Sequence, residues 1–148
     1  MGQCMARRAK EIDMTDSIEF YYDQFGTPDF RVADDHYFNL GAWLTGDIQS
    51  YAPDCLELLA TVEDLRAGRT PMEDWEGNAY HVRMTAGDVV LVNLHVPDQA
   101  TTYSVDDTHA ALLSYWNFLT SDPADKVRFL RDWEKDAGRT HPCHAHLE

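Results

Sequence analysis

The sequence predicts an α+β fold, with a mostly antiparallel sheet of about four to five strands and three helices packed on it. Two strand–turn–strand patterns, three capped stretches of helical apolar spacing, and the order strands, helix, strands, helices carry that reading. With 148 residues, 44% of them hydrophobic, the chain has the size and composition for one core.

Residues 1–16, which hold Arg7, Arg8 and Lys10 without sustained periodicity, read as a disordered basic lead, and Met14-Thr15-Asp16-Ser17 looks like an alternative start. A single α+β domain is expected over 17–138. Ile18-Glu19-Phe20-Tyr21-Tyr22 is rich in strand formers, Gly26-Thr27-Pro28 is turn chemistry, and Asp29-Phe30-Arg31-Val32-Ala33 alternates again, so a hairpin is expected. The apolar run from Tyr37 to Leu44 is interrupted by Gly41, and a third strand followed by a loop is preferred there to a short helix.

Asp54 with Glu57 three positions on resembles a capping box. Cys55, Leu58, Leu59, Val62 and Leu65 then follow at helical spacing until Gly68 offers a stop, with Glu57, Glu63 and Asp64 turned outward. Tyr80 to Met84 and Val89 to Leu94, joined by Thr85-Ala86-Gly87-Asp88, predict a second hairpin. Its second strand is apolar on both faces and hence central in the sheet. Ser104 is an N-cap for a helix carrying His109, Leu112, Leu113, Trp116 and Leu119. Asp122-Pro123 opens a third helix striped by Val127, Leu130 and Trp133 before Gly138. Residues 139–148 are expected to form a flexible tail.

The net charge of -14 is unevenly spread: Asp13 to Asp107 holds nineteen acids against Arg31, Arg66, Arg69 and Arg83. Such a surface repels nucleic acid and anionic membrane and draws in a basic protein, although solubility alone is an equally simple reason for it. No apolar run reaches the ~20 residues of a membrane span and no secretory stretch opens the chain. Three cysteines without CxxC spacing suit a reducing compartment, so a cytoplasmic setting is expected.

No GxSxG, HExxH, P-loop or GxGxxG pattern occurs, and neither a catalytic role nor a cofactor is expected. Cys55 lies on an apolar helical stripe, where burial disarms a thiol. Asp34-Asp35-His36 has the donor types for a cation but reads better as a solvated loop. The nearest thing to zinc spacing is His141, Cys143, His144 and His146, which in a flexible tail lack groups to orient them, so no metal is expected.

Aromatic residues set among the acids are more informative. Trp75 stands within Glu73-Asp74-Trp75-Glu76, Tyr103 precedes Asp106 and Asp107, and Tyr37 follows Asp34 and Asp35. Tyr and Trp anchor interfaces while carboxylates around them steer a basic partner, so these ten residues are the expected partner-binding set. Each ring has the alternative of folding inward, the preferred reading for Tyr37 and Tyr103.

Ile18-Glu19-Phe20-Tyr21-Tyr22-Asp23, Gly41-Ala42-Trp43-Leu44, Arg66-Ala67-Gly68, Trp75-Glu76-Gly77-Asn78-Ala79-Tyr80 and Tyr115-Trp116-Asn117-Phe118 together resemble the YacL-like family of short acidic bacterial proteins, across roughly Ser17 to Leu119. The basic lead and the helix after Ser121 lie outside the resemblance. In general character that family is similar to acidic immunity proteins that neutralise toxins of contact-dependent growth inhibition systems. The resemblance implies an inhibitor that binds a cognate basic toxin, a nuclease being the natural target, or alternatively an orphan cytosolic regulatory or adaptor protein.

Overall fold

The computed structural model describes residues 17–96 and 98–148, and the basic lead expected over 1–16 lies outside them. Strands β1 (Ile18–Tyr22) and β2 (Pro28–Val32) are followed by helices α1 (Phe38–Trp43) and α2 (Ala52–Arg66). Next come strands β3 (Met72–Glu76), β4 (Tyr80–Thr85), β5 (Val89–Asn93) and β6 (Ala100–Tyr103), then helices α3 (Val105–Leu119) and α4 (Pro123–Ala137). The fold is α+β and every strand pairing is antiparallel. The strands form two sheets, β1-β2 and β3-β4-β5-β6, in place of one continuous sheet.

The separation follows from what the first hairpin packs on. Phe20 meets Tyr115 edge-on with ring centroids 4.8 Å apart, and Tyr22 stacks on Phe118 at 4.5 Å, so β1 packs on α3 and pairs with β2 but with no strand of the larger sheet. The turn closes through Asp23, whose Oδ1 accepts the backbone N–H groups of Phe25 and Thr27, while Gly26 takes the left-handed conformation at φ 75°.

Tyr37 to Leu44 is helical where a strand was expected. Leu40, Trp43 and Leu44 recur at i, i+3 and i+4 and are all fully buried, which is the helical period and not the strand's. Gly41 does not break the element. A Cβ there would lie 2.4 Å from Phe30 Cδ2, so the glycine lets the ring of β2 sit against the helix backbone.

A π-helical turn, Leu44–Ile48, runs on from α1 and delivers Asp47 to the β3–β4 hairpin. Its Oδ1 accepts from the N–H groups of Asn78 and Ala79 at 3.1 and 2.9 Å, and Oδ2 from that of Tyr80 at 3.0 Å. Gly77 faces the same carboxylate: a Cβ would fall 2.6 Å from its Cγ.

Helix α2 begins at Ala52, two residues before the expected cap. Pro53 supplies its first-turn geometry, Tyr51 makes no side-chain cap, and Asp54 lies within the first turn, where a carboxylate suits the helix dipole. The helix is buried nearly all round, Cys55, Leu56, Leu58, Leu59, Val62 and Leu65 at 1% exposure or less. Glu63, expected on its outward face, is buried as well. Cys55 is the small hydrophobe expected: burial, and then the charge of Asp54, push its thiol pKa up, and its Sγ donates to Leu112 O. The caps at Ser104 and Asp122 form as read, accepting from Asp107 N and Ala124 N, and Gly138 ends α4 at φ 70°.

In the larger sheet Val82, Met84, Val89 and Leu91 face the helices, while Arg83 and Thr102 are exposed on the other side. β5 is interior to the sheet, as its apolar run implied, but Val90 and Val92 on its outer face are only half-buried. No helix among the described residues is long and apolar enough to cross a membrane.

The expected flexible tail is packed into the domain. His141, Cys143 and Leu147 are each 1% exposed or less, and the indole N–H of Trp116 donates to Leu147 O at 3.1 Å. The His141 ring accepts the N–H of Cys143 at Nδ1, which leaves Nε2–H to donate to Leu56 O at 2.8 Å. These buried side chains have their polar atoms hydrogen-bonded and fix the segment against α2 and α3, so the domain runs to the C-terminal end of the described chain.

Candidate partner-binding surface

The residues expected at an interface fall into two groups on opposite edges of the four-stranded sheet. Asp34, Asp35 and Tyr37 come together with Tyr103, Asp106 and Asp107 where β6 runs into α3. Glu73, Asp74, Trp75 and Glu76 form β3, the other edge strand. β4 and β5 lie between the edges, placing the groups about 14 Å apart at the ordinary strand spacing. They do not make one patch.

Within the first group much of the chemistry is internal. Asp34 Oδ1 caps the 3-10 turn Asp35–Tyr37 by accepting from His36 N. The Tyr37 hydroxyl donates to Asp107 Oδ2 at 3.1 Å, and its ring stacks on Tyr103. Tyr103 is only 2% exposed; its hydroxyl donates to His36 O at 2.7 Å and accepts from Leu40 N. Burial pushes that hydroxyl's pKa up to about 12, so it stays a donor. Tyr103 is therefore a core post and not a partner anchor, because its ring fills the gap between β6 and α1. Asp106 is paired with Arg66 at 3.1 Å.

The second group is paired on its own sheet. Asp74 Oδ1 lies 3.1 Å from both Arg83 Nε and His81 Nε2, and Glu76 lies 3.1 Å from His81 Nδ1. The hydrogen bond from Arg83 holds the Asp74 carboxyl below its usual range. Trp75 is half-buried, meeting Trp43 edge-on at 5.7 Å. Carboxylates along an edge strand also discourage pairing with another chain.

A third region, absent from the sequence reading, has a different character. Between the start of α2 and the length of α4 lies a cleft of about 600 Å³ lined by Tyr51, Pro53, Asp54, Glu57, Phe129, Asp132, Trp133, Asp136 and Ala137. Helical spacing explains it: 54 and 57 share one face of α2, while 129, 132, 133 and 136 share one face of α4. Carboxylates and aromatic rings thus meet, and no basic side chain is among the lining residues. Among the described residues none of the four carboxylates is ion-paired; Glu57 Oε1 accepts the indole N–H of Trp133 at 3.0 Å. Burial, then repulsion from Glu57, raises the Asp54 pKa. A cation placed in the cleft would relieve both. The rings already attract guanidinium groups from the rim: Arg128 lies over Phe129 at 4.3 Å and Arg139 over Trp133 at 5.4 Å.

The C-terminal His/Cys run does not gather into one metal centre. His141 is spent on Leu56 and Cys143 backbone atoms, and His144 sits between Glu134 at 2.6 Å and Glu148 at 3.1 Å. No known family profile matches the chain, and neither a curated protein nor a solved structure shows significant similarity to it.

Proposed function

We propose that the chain is an acidic inhibitor of the immunity type, which captures a basic protein partner in the cytoplasm, with a nuclease toxin as the natural target. The α2–α4 cleft carries this reading, because its carboxylates, without an ion pair among the described residues, and its aromatic walls suit an inserted Lys or Arg side chain. The net charge of -14 steers such a partner from a distance, and the cleft supplies local affinity once water is expelled. A cation seated on an aromatic face in a desolvated site gains about 2 kcal/mol beyond its ion pairs. A nuclease is basic where it grips phosphate, so an acidic domain can cover that surface. The resemblance to the YacL-like family points the same way.

The test is co-purification with the product of the neighbouring gene, followed by association kinetics across a salt series. The on-rate should fall steeply with salt while the off-rate changes little, and Asp132→Asn/Asp136→Asn should slow association. A salt-independent on-rate, or full affinity in that variant, would remove the reading and leave the orphan adaptor in its place.

A further inference from the structure

We propose that Glu63, His109 and Cys143 are the ligands of a divalent transition-metal site, for which Zn²⁺ is the best match. A carboxylate from α2, an imidazole from α3 and a thiol from the C-terminal segment converge so that their ligating atoms all lie within 4.8 Å of one another. His109 Nε2 and Cys143 Sγ are 3.4 Å apart. Zinc–nitrogen and zinc–sulfur bonds of about 2.0 and 2.3 Å at a tetrahedral angle set those two atoms about 3.5 Å apart, so the pair already has ligand spacing. The carboxylate completes the set by a movement of about 1 Å.

The donor chemistry selects the ion. Thiol and imidazole are poor ligands for Mg²⁺ and Ca²⁺, whereas mixed sulfur, nitrogen and oxygen donors suit zinc. Charge balances too. On binding, the Cys143 thiol releases its proton to solvent, and one thiolate, one carboxylate and one neutral imidazole together cancel the two positive charges of the ion. That balance is what a buried site requires, and Glu63, His109 and Cys143 are 8%, 2% and 1% exposed.

The ion also has a way in. Glu63 lines a cleft of about 530 Å³ together with Arg66, Ser104 and Asp106, so a tetrahedral ion on three side chains turns its fourth position, and a water, toward that opening. Arg66 stands over this entrance, 3.8 Å from Glu63 and 3.1 Å from Asp106. Asp54 and Glu63 are nine residues apart on α2, about 13 Å along its axis, so the metal site and the acid–aromatic cleft are separate. Bound metal would tie the C-terminal segment to α2 and α3.

Full-length protein stripped with a chelator and titrated with Co²⁺ tests the assignment. One equivalent should bind with a thiolate-to-cobalt charge-transfer band, and Zn²⁺ should displace it and raise the Tm. Cys143→Ser should abolish the band, and Glu63→Gln should weaken Co²⁺ binding at least tenfold with a native circular dichroism spectrum; should Cys143→Ser not fold, Glu63→Gln decides. His144→Ala, which leaves all three donors in place, should bind like the parent chain. Absence of the band, undiminished binding by Glu63→Gln, or binding lost only in His144→Ala would overturn the site.

Discussion

Strand β3 and the α2–α4 cleft each set carboxylates beside a tryptophan, yet they present different surfaces. On β3 the acids Asp74 and Glu76 have Arg83 and His81 across the ladder, and Trp75 leans on Trp43. In the cleft Asp54, Glu57, Asp132 and Asp136 have no cation paired with them among the described residues, and Trp133 stands half-buried in the wall. A count of acids therefore overstates what a partner can use. Exposed ion pairs contribute little to stability but hide charge, whereas unpaired carboxylates held together by a fold are a cost that a ligand can relieve.

Replacing the two tryptophans separates the roles most sharply. Trp75→Ala should lower folding stability by about 3 kcal/mol in urea denaturation, through the cavity left against Trp43, with little change in partner affinity among folded molecules. Trp133→Ala should weaken partner binding about thirtyfold, the ~2 kcal/mol of an interface anchor. Equal effects of the two on affinity would erase the distinction drawn between the regions.

Charge removal should follow the same division on a smaller scale. Asp132→Asn/Asp136→Asn should reduce the association rate about tenfold at low salt, while Glu73→Gln/Glu76→Gln, with the same nominal change in charge, should reduce it about twofold. Stopped-flow association at two ionic strengths distinguishes these outcomes.

Asp54 gives the smallest effect and a defined sign. Its folded pKa is raised by burial and by Glu57, so its contribution to stability is present below the unfolded carboxyl value of about 3.9 and is lost as pH rises through the folded value. Asp54→Asn has no such loss. Relative to the parent its stability should rise across that window and then level off, while partner binding weakens. Denaturation curves at several pH values would show it, and a flat difference would contradict the raised pKa.

Legibility in the sequence tracked the range of the interaction that decides each element. The Ser104 and Asp122 caps, the Gly138 stop and both expected hairpins rest on residues a few positions apart, and they could be read directly. Gly41 misled because the same residue breaks a strand or admits a ring, and only the distant Phe30 reveals which. β3 was missed because its acids hide the alternation in which Trp75 alone turns inward. The C-terminal segment read as a tail because His141 and Leu147 find their partners on α2 and α3. The cleft had no local signal at all: Asp54 and Asp132 are neighbours only once α4 folds back on α2.

The Asp47 carboxylate carries a kinetic consequence. Because it accepts from Asn78, Ala79 and Tyr80 together, the hairpin tip and the π-helical turn have to open as one cooperative unit, although they belong to different secondary structures. Deuterium uptake at those three amides would then report the loosening of residues 44–48, with all three showing one common protection factor.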